Sequence, residues 1–432
     1  MLHVENPEVR DLLLCGNYGL EKEMLRITAD GHLAHTPHPF SPEEASITRD
    51  FCENQVEINT PIFRSAEEVI ANIRLHTDRV RATLDSLTPR EILWQYSNPP
   101  YLMDETDVPI AQFEGTLAAK TSYRRYLSQR YGRYLMTLSG IHFNYSFSGD
   151  LLRKNYEAET GTAVTKGNEP SDYRAYQDRL YLGVAENLVA YGWLMTVLTA
   201  ASPLSDTSYF VQGRAGSDLF CGMASLRCSE LGYWNGFTPC FNYEDAESYV
   251  AGIERFVKQG LIAAPSELYY PIRLKPKGLN TLDGLRTKGV NHIELRMIDL
   301  NPLCAEGIDV RDVEFAKLLT VWAGTLAAPH QSMERQMMAV TNFKHAAHYD
   351  LHTTGIVTQD GKRKSLAHAA LDVLGLLRAF YQSVDAPSAV MENIDYQTSK
   401  ILHPEQYRYA DIVCRRYAGR LVKDLVRDMA ST

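Results

Sequence analysis

Four short stretches of this chain alternate apolar and polar residues with period two, and their polar positions are crowded with ionisable groups. The alternation predicts strands over 20–27, 51–59, 140–147 and 291–298. One parity is apolar: Val56 and Ile58; Ile141, Phe143, Tyr145 and Phe147; Ile293, Leu295 and Met297. The other parity carries Glu21 and Glu23; Glu53, Gln55 and Glu57; His142 and Asn144; His292, Glu294 and Arg296. Successive side chains of a strand point to opposite faces, so each stretch sends two or three polar groups the same way. If the four faces belong to one sheet, Glu21, Glu23, Glu53, Glu57 and Glu294 converge, with Asp50 at a strand edge. Carboxylates held that close repel each other unless cations intervene. Oxygen-rich clusters select hard divalent ions such as Mg²⁺ or Mn²⁺, and the single imidazole of His142 is compatible with that set. A merely solvated face would mix Lys and Thr among the acids.

Between the strands, helices are expected from Ser65 (capping-box spacing to Glu68) to about residue 87, over 173–200 as one or two buried helices, and over 245–259, 365–383 and 404–430. Helices interleaved with antiparallel strands predict an α+β fold, a mostly antiparallel sheet with helices packed on its apolar face. No linker or repeat divides the 432 residues, so a single catalytic domain is expected. Forty-four Lys and Arg against 53 Asp and Glu leave a net charge of −9, which argues against a nucleic-acid partner. The absence of a long apolar run argues against a membrane span, and seven Cys without a C-x-x-C pair suggest a reduced, cytoplasmic protein.

Arg124, Arg227 and Arg296 lie in aromatic-rich segments, and Arg296 shares its strand face with Glu294. Carboxylates for divalent metals together with guanidinium forks are the equipment for handling a triphosphate. The segment from Gly355 to Lys362 does not fit a phosphate-cradling glycine loop, since Arg363 stands where Ser or Thr is required. Metals and arginines must then hold the phosphates. The His32, His35 and His38 string sits in a Pro-broken loop, without a preformed ligand face.

The order of motifs resembles that of the bacterial glutamate–cysteine ligase family. They are G-L-E-K-E-M-L-R (19–26), T-R-D-F-C-E-N-Q-V-E (48–57), S-N-P-P-Y (97–101) and Y-R-R-Y-L-S-Q-R-Y-G (123–132). S-G-I-H-F-N-Y-S (139–146), S-L-R-C-S-E-L-G-Y (225–233), E-L-Y-Y-P-I-R (267–273) and H-I-E-L-R-M-I-D-L-N-P (292–302) follow. The resemblance runs from about 15 to 330, a ligase core, and leaves 331–432 as a helical C-terminal extension packed on it. It implies a glutamine-synthetase-like fold whose sheet forms a half-funnel active site. It implies ATP and Mg²⁺ (or Mn²⁺), with L-glutamate and L-cysteine joined through a γ-glutamyl phosphate as the first step of glutathione-type thiol synthesis; a monomer or small homo-oligomer is expected, the sequence not distinguishing them. By position, Glu21, Glu23, Asp50, Glu57, His142 and Glu294 resemble the family's metal set. Arg124, Arg227 and Arg296 resemble its catalytic cations, and Phe51, Tyr123, Leu127, Met136, Tyr233 and Tyr269 its acceptor pocket. Met136 stands where enterobacterial members carry Gln, and Ser266 replaces an Asn. The resemblance implies the ligase step alone, with no room for the ATP-grasp half that completes glutathione. Two alternatives remain at this point: a ligase joining glutamate to a different amine, and a small-molecule phosphotransferase of the guanidino-kinase type.

Overall fold

The computed structural model describes residues 1–211, 218–220, 222–417, 419–422 and 425. In chain order its strands are β1 (Gly16–Thr28), β2 (Ile47–Thr48), β3 (Gln55–Asn59), β4 (Glu91–Trp94), β5 (Gly140–Phe147), β6 (Leu204–Asp206), β7 (Asp218–Phe220), β8 (Ile272–Lys275), β9 (His292–Asp299), β10 (Gly355–Val357) and β11 (Arg363–Ser365). Seven of them form one open sheet in the order β2-β3-β1-β5-β9-β8, with β4 pairing the end of β1. Every pairing in it is antiparallel. The α+β class and the open antiparallel sheet are as expected.

One face of this sheet is apolar. Leu20, Met24, Val56, Ile58, Ile141, Phe143, Ile293 and Leu295 are all buried in the main core. The helices Ala66–Asp85, Tyr173–Tyr191, Trp193–Thr199 and Val310–Thr325 cover it. The second half of Tyr173–Tyr191 and all of Trp193–Thr199 are buried nearly all round because they are enclosed on several sides. They meet at Gly192 with a 55° bend, and no single helix among the described residues is long and apolar enough to cross a membrane. The helices Leu366–Ser383 and Ser388–Leu402 pack in turn on Val310–Thr325. Lys22 and Arg26 interrupt the apolar pattern of β1; Lys22 is fully buried, its Nζ donating to Gln95 Oε1 (2.7 Å) and Thr77 Oγ1 (3.2 Å). Burial pushes its ammonium down to about 7.

Three expectations need correcting. The strand expected over 51–59 begins only at Gln55, so Glu53 lies in the preceding turn and does not join the converging acids. Its Oε1 accepts from Arg49 Nη1 (2.9 Å) and the His38 backbone N–H (3.0 Å), and its Oε2 from the Gln112 N–H (3.0 Å), which makes it a brace for that loop. The helix expected over 404–430 is two pieces, Pro404–Tyr407 and Tyr409–Tyr417, broken at Arg408, whose guanidinium turns inward onto the carbonyls of His348 and Tyr349; residues 418, 423, 424 and 426–430 of that stretch lie outside the described residues. The capping bond at Ser65 is made to the Glu68 N–H, but Glu68 reaches back to Arg64 rather than to Ser65.

Candidate functional site

The opposite face of the sheet holds the polar groups. Register places Glu23 opposite Glu57, Glu21 opposite His142, Asn144 opposite Glu294, and Glu294 opposite Arg273. Between Leu295 and Ile298, β9 holds one more residue than the facing part of β5. Such a bulge re-aims side chains, and Arg296 sits at it, next to His142. Above this face, Tyr123, Arg124 and Leu127 come from one side of the helix Ala118–Tyr131, and Met136 from the turn after it. Arg227 and Tyr233 come from the loop 225–233, and Tyr269 from the turn before β8. All fifteen residues nominated from the sequence line one cavity of about 1020 Å³. Leu138, Ser266, Arg273 and Lys275 also line it.

Two electrostatic regions divide the floor. On the β9 side, His142 Nδ1 lies 2.9 Å from Glu21 Oε2 and 3.8 Å from Glu294 Oε1. Arg296 Nη1 and Lys275 Nζ approach Glu294 Oε1 at 3.2 and 3.1 Å. Burial alone would raise the Glu294 carboxyl; the charges of Arg296, Lys275, His142 and Arg273 hold it well below the usual carboxylate range. Burial likewise opposes ionisation of Glu21, and the hydrogen bond with His142 brings it below its ordinary value. On the β3 side the cations compensate less: His142 Nε2 lies 3.6 Å from Glu23 Oε1 and Arg124 Nη2 3.9 Å from Asp50 Oδ1. Burial pushes the Glu57 carboxyl well up, and the charges of Asp50, Glu21 and Glu23 push it further. Glu23 is raised too, chiefly by burial.

Ligand atoms of Glu21, His142 and Glu294 lie within 4.8 Å of one another. Glu294 Oε2 is buried without a hydrogen-bond partner, with Arg273 Nη1 4.0 Å away. An orphaned carboxylate oxygen beside a crowd of further acids is the donor set a hard divalent cation fits. The His32, His35 and His38 string is not such a set: His35 pairs with Asp107 (3.2 Å), and His38 is buried beside Phe40.

The cations on the cavity wall are fixed in place. Arg227 lies against β5 where only a glycine fits, since a Cβ at Gly140 would stand 2.4 Å from its Cζ. Its Nη2 is 3.5 Å from His142 Nε2. Arg124 stacks on Phe113 at 4.8 Å and donates from Nε to the Asp50 carbonyl. In the aromatic wall Tyr233 and Tyr269 have ring centroids 4.0 Å apart. Behind it, Asn235 Oδ1 accepts from the Tyr269 N–H (2.8 Å), while its Nδ2 donates to the Glu267 carbonyl (2.8 Å) and Tyr131 Oη (3.2 Å). The sequence reading nominated neither Asn235 nor β8. With only four residues, β8 offers too short an alternation to read, although Arg273-Leu274-Lys275 does carry the parity.

Comparison with known proteins places the chain. The family model for glutamate–cysteine ligase matches residues 1–261 and 237–346, and the chain belongs to that family. It is similar to the glutathione biosynthesis bifunctional proteins of Listeria welshimeri (34% identical over 414 residues, 93% of this chain and 52% of that one) and Clostridium perfringens (34% over 331 residues, 74% and 41%). The chain thus spans about half the length of the curated relatives it matches. Among solved structures, a bifunctional glutathione synthetase from Pasteurella multocida superposes with a TM-score of 0.83 at 25% identity, covering 100% of this chain and 54% of that one. A glutamate–cysteine ligase from Francisella tularensis, solved in complex with AMP, gives 0.82 at 23% identity over 96% of this chain and 88% of its own, a likeness of fold.

Proposed function

We propose that this chain ligates the γ-carboxylate of L-glutamate to the amine of L-cysteine at the expense of ATP, through a γ-glutamyl phosphate. The observation that carries this reading is the cavity itself, in which acids, guanidinium groups and an aromatic-apolar wall from distant segments meet. The names of the relatives agree with it. Glu21, Glu23, Asp50, Glu57, His142 and Glu294 would hold Mg²⁺ or Mn²⁺, whose charge would screen the phosphates of ATP. Arg296 and Arg227, on two sides of His142, would orient the transferring phosphoryl group and the glutamate and bind the oxyanion formed when the amine attacks. Arg124 and the ring hydroxyls of Tyr233 and Tyr269 would receive the carboxylate of the acceptor. Glu21 also borders a second cavity, lined by Asn17, Asn59, Asn144, Ser146 and Lys277, which would take the nucleoside. Among the described residues no cysteine is in a disulfide, which suits the reducing cytoplasm proposed for it; Cys221 lies outside them.

The test is phosphate release from ATP and glutamate across a panel of amino acids and amines. Met136 is buried in one apolar cluster with Phe51, Leu127 and Tyr269. An apolar wall accepts a thiol and a methyl alike, and one group of that size is worth only about 1–3 kcal/mol of discrimination. A serine hydroxyl there loses water without gaining a partner. Cysteine is therefore expected to be the best acceptor, 2-aminobutyrate nearly its equal and serine clearly worse, and Met136→Gln should narrow the cysteine–serine gap without changing the KM for glutamate. Serine equal to cysteine in the wild type would refute the pocket assignment. Phosphorylated glutamate accumulating with no acceptor dependence would favour a phosphotransferase.

The raised carboxyls give a second expectation. Glu57 and Glu23 retain protons at a higher pH than free glutamate, whereas a bound cation needs carboxylates. Cation binding should release protons, and apparent Mg²⁺ affinity should fall as pH falls through the raised Glu57 range. Titration calorimetry in two buffers of different ionisation enthalpy reads the release; identical heats in both would contradict it.

A further inference from the structure

Behind Arg227 lies a chain of hydrogen bonds that ends on a buried acid outside the cavity. Asp299 closes β9 and is 1% exposed. The extra residue in β9 places it opposite Gly140, the position against which the Arg227 guanidinium lies. Its Oδ2 accepts from the Ala201 N–H (3.0 Å) and from Ser202 Oγ (2.5 Å), and its Oδ1 from Ser225 Oγ (2.8 Å). With its proton given to Asp299, the Ser225 oxygen is free to accept from the Cys228 N–H, which it does at 3.2 Å. The two residues on either side of Leu226 and Arg227 are thus joined through one hydroxyl. The loop then closes on itself, the Tyr233 N–H donating to the Arg227 carbonyl at 3.2 Å, and Gly232 leaves the space that this bond requires. At the far end, Arg227 Nη1 approaches the carbonyl of Ile298, the residue before Asp299, at 3.4 Å.

We propose that Asp299 is a positioning residue, acting through the Ser225 hydroxyl to hold Arg227 in the cavity. This rests on the reading of Arg227 as a substrate-binding cation. A carboxylate accepts from all three contacts as they stand, and of these the Ala201 N–H cannot be reversed. In Asp299→Asn the amide oxygen must face that fixed N–H, so the NH₂ faces Ser225. The hydroxyl then has to accept from that NH₂ instead of donating, so its bond to residue 299 is reversed, its own proton must turn elsewhere, and the Cys228 N–H shares the oxygen with a second donor.

The experiment is steady-state phosphate release by the full chain carrying Asp299→Asn, Ser225→Ala, Arg227→Lys, and each of the first two combined with the third. Asp299→Asn and Ser225→Ala are each expected to cost about tenfold or more, in the same parameter (glutamate KM or kcat) that Arg227→Lys moves. In the Arg227→Lys background either should cost less than about twofold more, since the group being positioned is gone. A general loss of packing would add in full in that background, so additivity overturns the proposal, as do wild-type kinetics in both single variants. If Arg227→Lys is itself silent, the assignment of Arg227 fails, and the relay with it. Should Asp299→Asn not fold, Ser225→Ala with and without Arg227→Lys decides by the same criterion.

Discussion

Glu23→Gln and Glu294→Gln are each expected to lower turnover by about a thousandfold or more, roughly 4 kcal/mol of lost transition-state stabilisation, because each takes an anionic ligand from a divalent cation. Their effects on stability should differ. Glu294 is fully buried and meets Arg296, Lys275 and Arg273 within 4.0 Å. Neutralising it leaves those cations facing each other, and breaking a buried ion pair in this way costs about 3–5 kcal/mol. Glu23 faces Glu57 across the β1–β3 register, and its carboxyl is raised by burial. Its charge is a burden on the metal-free fold, so Gln there should leave the melting temperature unchanged or raise it. Unfolding in the presence of EDTA separates the two, and phosphate release at saturating Mg²⁺ measures the activity. If both variants keep more than about a tenth of wild-type turnover, within 1.4 kcal/mol of it, the acids do not serve a metal.

These two residues also mark what the sequence could and could not reveal. Strand parity is a local property, so Glu21 with Glu23, His142 with Asn144 and Glu294 with Arg296 could be grouped before any pairing was known. Which groups then meet across strands depends on register, and register separates the repelled pair Glu23–Glu57 from the compensated Glu294. Parity misled at one end of the pattern and is equally unsafe at the other. Glu53 shares the parity of Glu57, but the strand starts after it, and Arg49 takes it into the loop. Asp299 shares the parity of Ile293 and Leu295, but the bulge beyond Leu295 turns it toward Ser225. A one-residue irregularity reverses every later assignment, and nothing local announces it. Asn235 and Glu267 were illegible for another reason: they touch each other and Tyr131 from three separate segments, a contact that exists only once the chain is folded. The resemblance to a family covered the cavity lining because it rests on motifs, and motifs carry the groups that touch ligands more readily than the groups behind them.

Arg296→Lys is expected to reduce kcat by about a hundredfold or more, the usual cost of removing one oriented donor from a developing charge. The guanidinium is held where it is needed: Nη1 lies 3.2 Å from Glu294 Oε1 and 3.4 Å from His142 Nδ1. The charge of Glu294 keeps it firmly protonated against the cost of burial. With one edge committed to Glu294, the rest of the planar fork can present further N–H groups to a phosphoryl oxygen without moving. A lysine ammonium carries the same charge, but it is a single compact point. Placed within reach of Glu294 Oε1 it satisfies the acid and leaves the phosphoryl group uncovered; extended toward the phosphoryl group it abandons the acid. The charge is conserved and the bridge is lost, so kcat should fall while the fold and the melting temperature hold. A loss smaller than about tenfold, equal to roughly 1.4 kcal/mol, would mean that the guanidinium stands outside the reacting complex and that Glu294, rather than substrate, is the reason for its position.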